Sequence, residues 1–391
     1  MTSVPYRFLV ATYTDSIYTL EFDPTQSPPK LVQTSSVRIG HHPSWITQHP
    51  TDPSIVFTAA EEVHGRVYAL SVNLEGKAEV VATVASEGAD PCTLVASEEE
   101  LFVGNYSSGT VSVFPISTQD PYISPPSTRH QLTGKGPQAD RQESSHPHQV
   151  ALHDDELLVP DLGSDKTWRF AKNAEGTWTP VAHIPYEAGG GPRHVVIHDG
   201  VIYTLLELSN TVTAHTLPSL SSNETPRLLA SAFTLSNPPP RPQLSVTEST
   251  PEVLSVNDNT PAEREDLPRL AAEILLPPPN ATFPDPYVYV SNRNDPHPEG
   301  DIVSIFKPLN KSDVASHDES SKLELIAEIR SGLAHLRGMI FFGPDDKYLI
   351  AGGANGGGVK IFERVGGGRE LHEIVTLQDI KAPTGFLRLA V

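Results

Sequence analysis

One cysteine, two methionines and three tryptophans are all that the 391 residues contain of these types. A lone thiol, Cys92, cannot build an intrachain disulfide framework or a cysteine-based zinc site. Positive charge is scarce as well: 28 Lys and Arg stand against 48 Asp and Glu, a formal net charge of −20. Such a chain offers no general cationic face to nucleic acid or to an anionic membrane. A small anionic substrate is not excluded, because it feels only the local field of a pocket. No apolar run approaches the ~18 residues of a membrane span. The N-terminal stretch lacks a basic segment followed by a long apolar run, so no signal peptide is expected and the expected compartment is the cytosol. The Asn-x-Ser/Thr triplets beginning at Asn105, Asn223, Asn280 and Asn310 therefore carry little meaning as glycosylation sites.

Long helical stripes are missing too, while proline (37) and glycine (27) are abundant. What recurs is a short apolar run, a turn rich in Ser, Asn, Asp and Gly, and a second run with period-two alternation. Clear copies are residues 101–116, 156–171, 201–217, 287–307 and 347–364, with strands such as VSVF, IVSIF and VKIF. This is one β-hairpin used repeatedly. A further short strand precedes it, as in residues 92–97, 148–153, 193–198 and 337–342, and there is room for a fourth strand before the next copy. The spacing of roughly 45 to 60 residues is the scale of propeller blades. Weaker copies at 45–73 and 7–23 bring the count to seven. The expectation is an all-β, seven-bladed propeller of four-stranded antiparallel sheets, forming a single domain over residues 1–391. The strand-like end, residues 385–391, is expected to pair with N-terminal strands and close the ring, removing an exposed edge. A Pro/Ser/Thr-rich insertion is placed around 218–270; its start supplies an outer strand, RLLASAFTL, and from about Asn237 it reads as a surface excursion. Residues 118–140 read as a second loop insertion.

Several blade phrases resemble the lactonase family of seven-bladed propellers, which includes the propeller-type 6-phosphogluconolactonases and the 3-carboxy-cis,cis-muconate lactonizing enzymes. They are HPSWITQHP (42–50), PHQV with PDLGSD (147–165), GPRH and ELSNTV (191–212), AAEI (271–274), VSNR (290–293) and the glycine-rich hairpin of 337–363. They are spread over nearly the whole chain, in order, each at the same place in its blade. PHQV, PDLGSD, GPRH, ELSNTV, AAEI and VSNR are closer to the phosphogluconolactonase-like branch. The resemblance implies a lactonase without a required metal or cofactor, and it carries His148, Arg193, Glu207 and Arg293 onto the family's proposed active site, with Glu273 at the rim.

The residues support that chemistry in their own right. His148, Arg193 with His194, and Arg337 open innermost strands, and Glu207 and Arg293 stand at the polar ends of second strands. In a propeller, blade entrances converge on one mouth of the channel. Arginines bind carboxylate or phosphate by bidentate hydrogen bonds and stabilise the oxyanion of an attacked ester. His148 or Glu207 is then the acid or base; sequence alone does not choose. Each residue has a structural alternative. A His or Arg at a strand entrance can tie blades together, Arg293 and Glu207 can form an inter-blade ion pair, Glu273 and Arg337 can be structural, and His194 can be a packing residue. The pair His146 and His148 lacks a third metal ligand at a convincing spacing. The glycine-rich run 351–368 lies in a hairpin, so it reads as a permissive turn and not a phosphate loop. No G-x-S-x-G elbow supports a serine hydrolase. Cys92 reads as a small buried hydrophobe, and the acidic clusters 98–100 and 154–156 read as solvated turns.

The expected function is therefore metal-independent hydrolysis of a small anionic, phosphorylated or carboxylated, sugar-type lactone. The alternatives are a cycloisomerase that closes a carboxymuconate, and a propeller serving only as a binding scaffold. The expected partner is a small anionic lactone or a dicarboxylate, with no nucleic acid, no membrane and no cofactor. A closed ring of blades needs no second subunit, so a monomer is expected.

Overall fold

A computed structural model describes residues 5–239, 267–310 and 322–390, and in them every regular element is a β-strand except two 3-10 turns, Pro344–Asp346 and Gly366–Gly368. The strands form seven four-stranded antiparallel sheets. Six of the sheets are meanders, in which chain order and sheet order coincide. The seventh is composite: Pro383–Arg388 pairs with Tyr6–Thr12, which is followed by Ser16–Asp23 and Lys30–Arg38. Counting this composite sheet as blade 1, Val10 lies opposite Phe386 and Phe8 opposite Arg388, so the two ends of the chain are latched strand to strand.

The blades close into a ring because each buries both faces. Along Tyr6–Thr12, Phe8 and Val10 pack toward blade 7 with Phe342, Ile350 and Ile361, while Leu9 and Ala11 pack toward blade 2 with Val56 and Leu70. Alternation along one strand thus feeds two different cores. Equivalent apolar clusters join blades 2 and 3, 3 and 4, 4 and 5, 5 and 6, and 6 and 7. This double burial is why second strands such as Ile55–Ala60 and Val201–Leu206 are buried at every position. Each large apolar side chain so removed from water contributes about 1.5–3 kcal/mol.

One irregularity recurs at the entrance of the innermost strands. In blade 2, Pro43 faces Ala60 and Trp45 faces Ala59, leaving Ser44 as an extra residue. Blades 3 and 5 repeat this with Pro91–Asn105 and Pro192–Leu206, leaving Cys92 and Arg193 extra. Blade 7 does so with Leu336–Gly353, leaving Arg337, and blade 1 with Pro383–Thr12, leaving Thr384. In blade 6, Ala272 and Glu273 occupy the bulge. A bulge leaves one residue unpaired and turns its side chain out of the regular alternation. Here it does so at one and the same rim of the ring, blade after blade.

The differences from expectation are local. The innermost strand of blade 4 is Ala151–His153, shorter than 148–153, because Pro147 makes only an isolated bridge to Asp161 before the chain bulges at His148. The stretch 118–140 is not merely a loop: Thr128–Gln131 is the outer strand of blade 3. The outer strand expected after residue 226 is present as Leu228–Phe233; of the excursion expected from about Asn237 to 270, residues 240–266 lie outside the described residues, and Leu270 already begins the strand Leu270–Leu275. Glu156 is no solvated turn residue; it is buried and makes a bidentate pair with Arg169 at 2.6 and 2.7 Å. In the glycine-rich hairpin, Gly357 (φ +85°) and Gly358 (φ +65°) supply the left-handed turn.

Closure by the terminal strand is testable. Phe386 fills the core between blades 7 and 1. Phe386→Ala should lower unfolding free energy by about 3–5 kcal/mol, read as a drop in urea midpoint; an unchanged midpoint would contradict the latch.

Candidate active site

The repeated bulge defines two rings of side chains at one mouth. The first holds the bulged residues: Ser44, Cys92, His148, Arg193, Ala272, Arg337 and Thr384 in blades 2 to 7 and 1. The second holds the residue that follows each bulge's partner on the second strand: Glu61, Tyr106, Leu162, Glu207, Arg293, Ala354 and Tyr13, in the same order. Eight of these residues border one cavity. The cavity holds about 710 Å³ and is lined by Glu61, Cys92, Tyr106, His148, Arg193, Glu207, Arg293 and Arg337, joined by Arg141 and by rim residues that include His41 and His42.

Glu207 is the hub. It is fully buried, and its Oε2 accepts from Arg193 Nη1 at 2.6 Å. Its Oε1 accepts from Arg141 Nη2 at 2.7 Å and lies 2.8 Å from Arg293 Nη2. Burial by itself would raise its pKa, but Arg293, Arg141 and Arg193 outweigh burial and hold the carboxyl well below the usual range. Its three guanidinium partners thus favour the ionised carboxylate. Arg193 is anchored further: its Nε donates to the Ala272 carbonyl at 2.6 Å, and its Nη1 donates to His148 Nε2.

That contact fixes the imidazole. Because a guanidinium only donates, Nε2 of His148 is the acceptor and the proton sits on Nδ1, which is buried without a partner. Burial first, then Arg193, pushes the His148 pKa well below the ordinary histidine value. His335 is held neutral in the same way by burial and Arg293; its Nδ1 donates to Asn294 Oδ1 at 2.7 Å. Arg337 differs from the other three arginines. Its guanidinium lies over the Tyr13 ring, 4.9 Å from the centroid, and among the described residues it has no hydrogen-bond acceptor.

The structure thus brings His148, Arg193, Glu207, Arg293 and Arg337 to one cavity. It does not bring His194 and Glu273 there. His194 Nδ1 donates to Glu273 Oε1 at 2.7 Å, both are buried, and they join blades 5 and 6, His194 directly after the bulged Arg193 and Glu273 as the second bulge residue of blade 6. Nor do His146 and His148 form a pair: His146 Nδ1 contacts the Tyr106 carbonyl at 2.9 Å, Nε2 contacts Glu143 at 3.0 Å, and the ring stacks on Tyr106. Among the described residues, no group of three or more His, Cys, Asp or Glu side chains could hold a metal ion. Cys92 is buried at the cavity wall, and burial raises its thiol pKa.

Tyr13, Glu61, Arg141 and His335 escaped the sequence reading. Glu61 and Tyr13 sit in the two weakest hairpin copies, yet each follows its second strand as Glu207 does. Aligning the hairpins by that position would have found them. Arg141 comes from the blade 3–4 connection and had no signal.

Comparison with known proteins agrees with this architecture. The family model described as "Lactonase, 7-bladed beta-propeller" matches residues 7–387. A 6-phosphogluconolactonase of Bacillus subtilis is 29% identical over 223 residues, which are 54% of this chain and 62% of that protein. The match therefore spans less than two-thirds of that relative's length. A probable 6-phosphogluconolactonase of Arthroderma benhamiae is 24% identical over 90% of this chain and 81% of its own. Among solved structures, a putative 6-phosphogluconolactonase of Bacteroides fragilis superposes with TM-score 0.76 at 23% identity, covering 100% of this chain and 99% of that one. A periplasmic gluconolactonase of Pseudomonas aeruginosa superposes with TM-score 0.72 at 21% identity, covering 99% of this chain and 100% of that one. No helix of the described residues is long and apolar enough to cross a membrane.

Two stability measurements probe the site. Glu207→Gln leaves buried guanidiniums uncompensated and should cost about 3–5 kcal/mol, whereas Arg141→Gln, on a partly exposed partner, should cost under ~1 kcal/mol. Equal losses would contradict the hub. The buried neutral histidines set the pH dependence. His148 and His335 lie well below the usual value, and burial lowers His215 to about 4. Their lowered pKa means the unfolded chain binds more protons than the folded one as pH falls below ~6.5, so stability is full above that pH and drops beneath it. Urea midpoints measured from pH 7 to about 4.5 should fall steadily; a flat profile would contradict neutral burial.

Proposed function

The chain belongs to the lactonase family of seven-bladed β-propellers, and from that premise we propose that it hydrolyses a small, anionic, sugar-type lactone, as a 6-phosphogluconolactonase does. The observation that carries the reading is Arg337: a guanidinium bordering the cavity, stacked on Tyr13 and without a protein acceptor among the described residues. The other three arginines share Glu207. A guanidinium left in this state is prepared for a phosphate or carboxylate, which it grips by two parallel hydrogen bonds. The cavity volume falls within the ~300–1,000 Å³ usual for small-molecule sites.

In this reading the lactone's charged arm lies on Arg337, and its carbonyl is turned toward Arg193 and Arg293. Water adds to the carbonyl carbon, and the tetrahedral oxyanion is held by guanidiniums that Glu207 has already fixed in place. Collapse breaks the ring C–O bond, the ring oxygen takes a proton, and a hydroxy acid leaves. The arginines supply the positive charge, so no step invokes a metal. The buried thiol of Cys92 suits a cytosolic setting, and ring closure by the chain's own ends suits a monomer.

Hydrolysis of 6-phosphogluconolactone by the protein should exceed the spontaneous rate. Arg337→Gln should raise KM about 10–100-fold, and Arg193→Ala should lower kcat by about 10²-fold or more, with folding checked by circular dichroism. A wild-type rate equal to the spontaneous one would overturn the reading. An ultraviolet change on 3-carboxymuconate instead would replace hydrolysis by cyclisation.

A further inference from the structure

Lactone hydrolysis needs a group that takes a proton from water and returns it to the ring oxygen. Neither residue singled out for this from the sequence is well placed. Glu207 accepts from or pairs with three arginines, so a proton on it would break the cluster. The Nε2 lone pair of His148 is occupied by Arg193, and its Nδ1 is buried without a partner.

Glu61 is differently placed. It borders the same cavity. It stands in blade 2 where Glu207 stands in blade 5, three blades away in a ring of seven, so the two carboxylates border the same cavity from separate parts of the ring. Its Oε1 accepts from Ser44 Oγ, the bulged hydroxyl of its own blade. Its Oε2 has no hydrogen-bond partner among the described residues, and no arginine is hydrogen-bonded to either oxygen. Burial raises its pKa above the ordinary carboxylate value, with Arg337 and the Ser44 hydrogen bond opposing. Two carboxyls whose surroundings push them in opposite directions are the pattern of an acid–base site.

We propose that Glu61 is the general base and acid of this cavity, that Ser44 positions it, and that Glu207 serves only to fix the arginines. The inference rests on the lactonase reading. In the first step, the free oxygen of Glu61 removes one proton from the attacking water as the new C–O bond forms. The carbonyl electrons move onto the oxyanion. In the second step those electrons return, the ring C–O bond breaks, and the proton on Glu61 passes to the leaving alkoxide. Glu61 ends as it began, and one water has been added across the ester. At neutral pH the product acid releases its own proton to solvent.

The test is a pH–rate profile of lactone hydrolysis for wild type, Glu61→Gln and Ser44→Ala, with 6-phosphogluconate binding measured by calorimetry in parallel. In the wild type, kcat should fall as pH drops through the Glu61 pKa, which lies above the usual carboxyl range. Glu61→Gln should bind 6-phosphogluconate within about threefold of wild type, lose about 10²–10⁴-fold in kcat and lose the acidic limb. Ser44→Ala removes a hydrogen bond that favours the ionised form, so its limb should move to higher pH while much of the plateau rate remains. An active wild type together with a Glu61→Gln variant of unchanged rate and profile overturns the assignment and leaves the lactonase reading standing. An inactive wild type overturns both. Infrared titration of the free protein gives a readout independent of turnover: a protonated carboxyl persisting above the usual range, and absent from Glu61→Gln, supports the assignment, and the same band in both proteins contradicts it.

Discussion

A single extra residue at the start of each innermost strand sets the geometry of this molecule. In a regular strand, alternate side chains enter the two inter-blade cores, and a polar residue there would be lost in apolar packing. The bulge breaks that alternation at the rim, so Ser44, Cys92, His148, Arg193, Arg337 and Thr384 leave the cores and face a common mouth. The following residue of the facing strand is released by the same irregularity. Radial closure then makes neighbours of residues hundreds of positions apart, as with Thr384 Oγ1 donating to the Ser44 carbonyl at 2.9 Å.

Such a mouth gathers charge at a cost. Arg193 and Arg293 are 2% and 4% exposed, and a guanidinium so far from water is tolerable only with a hydrogen-bonded counterion. Glu207 meets that need for three arginines at once. The result is a cluster of three guanidiniums held in place on one carboxylate. Arg337, outside that arrangement, lies over Tyr13 with no hydrogen-bond acceptor among the described residues. Glu61, also outside it, keeps an oxygen free for proton transfer. One carboxylate organises charge while the other is left able to change it.

The fold could be read from the chain because its signal is repetition: hairpins ending in VSVF, IVSIF and VKIF recur at blade spacing, and the terminal GFLRLAV announces a strand with no local partner. The arginine half of the site was equally visible, since Arg193, Glu207 and Arg293 sit at strand ends in motif-bearing segments. Glu61 and Tyr13 were hidden because their hairpins are the least regular copies and both residues pass for ordinary turn polarity. Glu273 and His194 lie beside the mouth and do not line it: His194 directly follows the bulged Arg193, Glu273 is the second residue of the blade 6 bulge, and the two pair with each other across the blade 5–6 junction. Arg141 reaches Glu207 from a connection whose conformation no periodicity describes.

Co-crystallisation with 6-phosphogluconate examines the convergence of these rings most directly. The account predicts one ordered ligand in the mouth, its phosphate or carboxylate within about 3 Å of the Arg337 guanidinium and its opposite end near Glu61. Ligand ordered on the other rim, or in the surface groove between blades 2 and 3 lined by Val63, Arg66 and Glu87, with the Arg337 mouth empty, would contradict it.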